Sequence, residues 1–298
     1  MKMKIFIVGI VLFSLFSFAK AQTYESTTYL DMDLNACKKS KAVYIGKCLH
    51  EDGLFRVDCY TMAGDLLIRS IHYTDETMQT RQGIFHAYFR DSKIYKEGHY
   101  SNGVKNGIWK RWSATGELID SSVYTNGKND FSSQWFYIKH RLMAHAVTDS
   151  LLDTYVSTDY DSTGRTELEL KYAGEHGSMK FYDSTGIETD TLFTRKDDKL
   201  AFKKEHKEWK HYLQKNLNGI VPIDNNAPAG VYEVMVNFMI MKDGTIANVE
   251  AETNFGYGME KEAVMVIAKG ANWNPPTVFG HPINALHAQP VTFDVENQ

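Results

Sequence analysis

The chain has 298 residues, enough for about two domains of ordinary size. Hydrophobic residues at 43% and charged residues at 23% mark a globular chain and exclude a disordered one. A formal net charge of -4 excludes a protein that lives on phosphate contacts to nucleic acid, and three cysteines (Cys37, Cys48, Cys59) make neither a disulfide framework nor a zinc site.

Lys2 and Lys4 lead into an apolar run from Ile5 to Ala19, closed by Ala19-Lys20-Ala21 before Gln22. A basic start, a short apolar core and a small-residue site predict a cleavable signal peptide over residues 1–21, hence an exported protein. The run is shorter than the roughly 17–25 residues a spanning helix needs, although an uncleaved leader would anchor the chain. Residues 22–42 are expected to be irregular, with Asp31 and Asp33 solvated.

Residues 43–195 carry an internal repeat: an aromatic, a glycine four positions on, then an apolar residue two further. It reads Tyr60/Gly64/Leu66 and Trp112/Gly116/Leu118, more weakly Tyr88/Ser92/Ile94, and again at Tyr160/Gly164 and Tyr182/Gly186. A degenerate copy near Tyr137 would complete the series. Asn102-Gly103 and Asn126-Gly127 supply the positive φ of tight hairpin turns. The pattern predicts a ladder of β-hairpins whose aromatics form its core, since a single hairpin is not stable alone. A two-residue turn at Asp52-Gly53 would place Cys48 opposite Val57. Cys59 then becomes a diagonal neighbour, which leaves a Cys48–Cys59 bridge open.

From residue 198 to the end the period changes. Phe202, His206, Trp209, Leu213 and Leu217 share one helix face, with Asp197 or Asp198 as cap and Gly219 as stop. Val231 to Met241 alternates as a strand, Asp243-Gly244 turns, and Ile246 to Thr253 returns. A second helix follows over Met259 to Lys269, stopped by Gly270, and Ile283 to Val295 alternates once more. Pro290 cannot donate to a ladder, so this last strand is predicted at a sheet edge. The fold class is therefore mainly β with an α+β C-terminal domain: a β-hairpin ladder, then a small helix–strand–strand–helix–strand unit over residues 198–298.

The repeat resembles MORN-like repeats in their variant form, well over residues 43–130 and loosely over 150–190. The last hundred residues resemble the C-terminal domain of TonB-type energy transducers of Gram-negative bacteria. The likeness is carried by the helix around Trp209 to Leu217, the strand Val234 to Ile240, the turn Lys242-Asp-Gly244, Glu262-Ala263, Trp273-x-Pro275 and Gln289-Pro-Val-Thr-Phe293. The combination looks like a Bacteroidetes-type arrangement. All six prolines lie at or beyond Pro222, so the Pro-rich periplasmic span of a full transducer is missing and the resemblance implies its receptor-touching module alone.

That resemblance implies a periplasmic or envelope protein supporting TonB-dependent transport by binding a short peptide of an outer-membrane transporter through strand addition. Its docking edge would be the strand bearing Ala285, His287, Gln289, Val291, Phe293 and Val295, with Gln289 at the polar middle. The same edge would also serve a homodimer. The alternative is a non-catalytic repeat scaffold that holds another envelope protein or a polysaccharide. Trp209 and Trp273 read as core anchors. His206 and His211, like His140 and His145, lie five apart and on different faces, so neither pair suits a metal. No catalytic motif or phosphate loop is present, so no enzyme activity, cofactor, metal or nucleic acid is expected.

Overall fold

The computed structural model describes residues 23–31, 34–62, 64–183, 185–194, 206–270, 273–275, 277–278 and 281–296. The signal-peptide reading, Asp33, Asp197, Asp198 and Phe202 lie outside them.

Fourteen strands form one antiparallel meander in strict chain order. They are β1 (Ser26–Leu30), β2 (Tyr44–Glu51), β3 (Leu54–Thr61), β4 (Leu67–Tyr73) and β5 (Arg81–Tyr88). Next come β6 (Ile94–Ser101), β7 (Val104–Trp112), β8 (Leu118–Thr125), β9 (Lys128–Ile138) and β10 (Arg141–Asp149). The ladder ends with β11 (Thr154–Tyr160), β12 (Thr166–Ala173), β13 (His176–Asp183) and β14 (Gly186–Thr194). The segment expected to be irregular, 22–42, thus contributes the first strand. Tyr29 and Leu30 pair with Ile45 and Tyr44, and Leu30 is buried in the core.

Two turn types build the ladder. The tight type carries positive φ at both central residues: Asp52-Gly53, Asn102-Gly103 and Asn126-Gly127. As the tight turn at Asp52-Gly53 requires, Cys48 lies opposite Val57. All three cysteines are free thiols. The second type explains the repeat motif. At Tyr60, Tyr88, Trp112, Tyr160 and Tyr182 the strand register shifts by a bulge. Four residues on, Gly64, Ser92, Gly116, Gly164 and Gly186 take positive φ. The aromatic marks the bulge, and the glycine closes the turn behind it. The expected copy near Tyr137 is instead a tight turn at Lys139-His140, with φ of 48° and 64° on residues that carry side chains.

The C-terminal unit comprises α1 (His206–Asn216), α2 (Val221–Asp224), β15 (Gly230–Ile240), β16 (Ile246–Ala251) and α3 (Met259–Ala268). The short strands β17 (Thr277–Val278) and β18 (His281–Pro282) precede the last strand, β19 (Ala285–Val295). The sheet order is β16-β15-β19. One face, with Tyr232, Val234, Val236, Phe238, Val291 and Phe293, is fully buried. Trp209 and Trp273 pack together there at 4.9 Å, as core anchors. The helix α2 was not expected; Pro222 in its first turn was the available signal.

Ladder and C-terminal unit share one continuous core, which runs from Leu30 and Tyr44 through Trp109 to Tyr232 and Phe293. Phe255 joins them, stacked on Tyr44 at 6.3 Å and edge-on to Tyr232 at 5.6 Å. Asn254 accepts from Arg90 Nε at 3.2 Å, and Asn248 Nδ2 donates to the Tyr137 carbonyl at 2.6 Å. Lys242 pairs with Glu167. Beside that pair, burial pushes the Asp159 carboxyl up to about 7, and Glu167 adds to the shift.

Two measurements probe this arrangement. A Cβ on Gly98 would sit 2.1 Å from the Trp109 ring, which is packed against Phe85, Tyr100 and Tyr124. Gly98→Ala should cost about 1–3 kcal/mol in chemical denaturation, whereas Gly103→Ala should act through its turn backbone and leave the Trp109 fluorescence environment unchanged. Asp159 has a raised folded pKa, so its contribution is present at acid pH and is lost as pH rises from the ordinary aspartate range toward about 7. Asp159→Asn should flatten that slope and raise stability at pH 8 by on the order of 2 kcal/mol. An unchanged slope would locate the titration elsewhere.

Candidate functional site

The strand singled out by sequence, β19, lies at the edge of the C-terminal sheet, where Pro290 required it to be. It pairs with β15 over its whole length, from Ala285↔Ile240 to Val295↔Gly230. Alternation then decides which atoms remain free. Met235 turns its carbonyl toward the β16 side, where it accepts the Glu252 N–H at 2.8 Å. In an antiparallel pair the residue opposite it, Pro290, therefore turns its own nitrogen and carbonyl outward. The outward set is Leu286, Ala288, Pro290, Thr292 and Asp294, all exposed. Their backbone groups make no backbone hydrogen bond to other described elements.

The residues named from sequence occupy the other parity. Ala285, His287, Gln289, Val291, Phe293 and Val295 bond to β15 through their backbones. The side chains of Val291, Phe293 and Val295 are buried. His287 packs against Phe238 at 5.1 Å and Trp273 at 5.0 Å. Gln289 is engaged at both ends of its amide. Its Oε1 accepts Trp209 Nε1 at 2.9 Å, and its Nε2 donates to the Pro290 carbonyl at 2.8 Å. The strand lies at the sheet edge, its side chains named from sequence hold the sheet together, and the outward backbone groups belong to their neighbours. Sequence could have found this parity only by knowing which side of β15 faces β16.

Pro290 and Gln289 together divide the edge. Proline offers no N–H, and its carbonyl already accepts Gln289. Two open stretches remain, Leu286 with Ala288 and Thr292 with Asp294.

The opposite edge, that of β16, faces the ladder. Asn248 donates to Tyr137, and Glu250 takes the backbone N–H of Ala114. Burial raises the Glu250 carboxyl, and the Glu117 charge adds to it. Between this face of the sheet and strands β7 to β9 lies a cleft of about 250 Å³, which reaches Leu286. Glu117 accepts Ser113, Thr115 and His140 there, and those hydrogen bonds bring its pKa down to about 2. Of the histidines paired in the sequence reading, His145 stacks on Trp135 at 5.1 Å and bonds Ser133 at 2.7 Å. Among the described residues no group of three or more His, Cys, Asp or Glu side chains is placed to hold a metal ion. No helix among them is long and apolar enough to cross a membrane.

Residues 233–295 match the family described as Gram-negative bacterial TonB protein C-terminal. The match runs from within β15 through β16 and α3 to the end of β19, a minority of the chain, and supports a TonB C-terminal domain over those residues. No curated protein matches. Among solved structures, one described as the crystal structure of the GtfA/B complex bound to UDP and GlcNAc aligns at 9% identity and a TM-score of 0.13. That alignment covers 60% of this chain and 29% of the other, and so loose a superposition carries no argument.

Proposed function

We propose that the protein works in the envelope of a Gram-negative bacterium as a TonB-type interaction protein. In this reading the outward side of β19 takes up an extended peptide of an outer-membrane TonB-dependent transporter by strand addition, in support of TonB-dependent transport. The ladder, a MORN-like scaffold here, holds the C-terminal unit from behind, and the function is non-catalytic. The carrying observation is the row of outward backbone groups at Leu286, Ala288, Thr292 and Asp294 in the unit that matches the TonB family.

Strand addition supplies affinity through main-chain hydrogen bonds. Each contributes about 0.5–1.5 kcal/mol net, so a short row of them yields roughly micromolar binding. A second copy of β19 is the competing occupant, because two such edges can pair with one another. β14, at the end of the ladder, is another terminal strand, and the measurement must tell them apart.

Hydrogen exchange on the full chain does so. The amides of Leu286, Ala288, Thr292 and Asp294 should exchange fast in the free protein and slow on adding a TonB-box peptide. Those of His287, Gln289, Val291 and Phe293 should be slow in both states. Thr292→Pro, which deletes one outward N–H and no internal bond, should weaken the peptide about tenfold with the thermal midpoint unchanged. Protection that rises with protein concentration in the absence of peptide would assign the edge to a homodimer. No binding at millimolar peptide would overturn the reading.

A further inference from the structure

A row of cations crosses the inner face of the ladder. Cys59 lies opposite Arg69, Arg69 opposite Ala87, Ala87 opposite Lys96, and Lys96 opposite Arg111. Residues opposite one another in an antiparallel pair share a face, so Arg69, Lys96 and Arg111 all point toward the C-terminal unit. Lys105, six residues before Arg111 on β7, lines the same space.

Among the described residues Glu252 is the one carboxylate within ion-pair distance of these cations. Glu252, just past β16, is shared: it lies 4.0 Å from Lys96 and 3.5 Å from Arg111, and Asn237 donates to it at 3.2 Å. Lys105 makes no ion pair among the described residues. Its ammonium sits over the Trp109 and Tyr124 rings at 4.8 and 4.7 Å. Arg69 likewise has no ion pair among them, and its Nε is buried without a hydrogen-bond partner. Burial pushes the Lys96 ammonium below the ordinary lysine range, and Lys105, Arg111 and Arg69 push the same way against Glu252. Part-buried cations that share one carboxylate are incompletely neutralised, and a bound anion would complete the pairing.

There is room for one. A cavity of about 220 Å³ opens beside Lys105, Lys96 and Arg111. It abuts the 250 Å³ cleft described above, and Arg111, Gln134 and Glu252 line both. A cationic space and an apolar one thus lie side by side, the apolar one walled by Trp112, Trp135, Phe136, Met239 and Leu286. Their other carboxylates are engaged. Asp120 accepts Ser122 and Gln134, Glu117 accepts Ser113, Thr115 and His140, and Glu250 takes the Ala114 N–H.

We propose that this cleft binds a small amphipathic anion, its charged group held by Arg111 and Lys105 and its apolar body lodged against Trp112, Trp135 and Met239. The inference stands apart from peptide addition, since it uses a different face of the sheet.

The test is a fluorescence titration of the full chain with 1-anilinonaphthalene-8-sulfonate, an aromatic body bearing one anionic group. The uncharged N-phenyl-1-naphthylamine serves as comparison. One sulfonate molecule should bind per chain, more weakly as sodium chloride rises. Lys105→Gln should lower its affinity about tenfold, and Arg111→Gln at least as much, with the neutral probe changed less than about twofold. Because Arg111 also touches Glu252, Lys105→Gln is the decisive variant, with its fold checked by circular dichroism. Trp135→Ala should weaken both probes. Equal sulfonate affinity in wild type and Lys105→Gln, or unsaturable uptake of many molecules per chain, would overturn the proposal.

Discussion

A strand at the border of a sheet leaves a row of N–H and C=O groups without partners, and this chain deals with each border differently. In the ladder, every strand from β2 to β13 is flanked on both sides by its chain neighbours. At its start the chain folds back: Leu30 bridges to Ala36, and Cys37 N–H donates to the Tyr29 carbonyl at 2.8 Å. The C-terminal sheet has two borders of its own. The ladder covers that of β16 with contacts from Tyr137 and Ala114. Among the described residues the border of β19 has no strand beside it, and a proline and a glutamine blunt it at its centre. Natural sheets blunt edges that must not pair. Here the blunting is confined to one position and leaves usable backbone on both sides of it.

Much of this was legible because turn chemistry is local. Asn-Gly and Asp-Gly between two strands favour a left-handed pair of residues, so Asp52-Gly53 pointed to the Cys48–Val57 register in advance. The aromatic-and-glycine motif was equally visible, although its meaning, a bulge followed by its closing turn, needed coordinates. Lys139-His140 escaped notice since neither residue advertises positive φ. β1 escaped because Ser26 to Leu30 is short, and its one buried side chain, Leu30, gives no period. In the C-terminal unit, alternation and Pro290 placed β19 at an edge correctly. The parity of its free atoms was out of reach, for it depends on where β15 spends its hydrogen bonds, a property of three strands together.

What no local pattern announced is that the two units share a core. Phe255 and Tyr44 lie far apart in sequence and meet only because the ladder curls over the C-terminal sheet. The seam is part apolar and part charged, with Glu252, Lys96 and Arg111 inside it and Asp159, Glu167 and Lys242 farther along. Charged groups at such a seam lose hydration on closure and gain little unless well paired. Glu252 is shared between two cations, 4.0 Å from Lys96 and 3.5 Å from Arg111, so these charges are thinly paired for groups at a closed seam.

Leu286 connects the two candidate surfaces. Its side chain lines the cleft beside Met239, while its backbone opens the outward row of β19. A molecule seated against that side chain therefore touches the first residue to which an added strand would pair. Should one occupant change the affinity of the other, linkage requires the effect to be equal in both directions. The ladder would then do more than hold the C-terminal sheet from behind. By walling one side of the cleft it would make the readiness of an edge strand depend on what the neighbouring space contains, with no large movement of either unit.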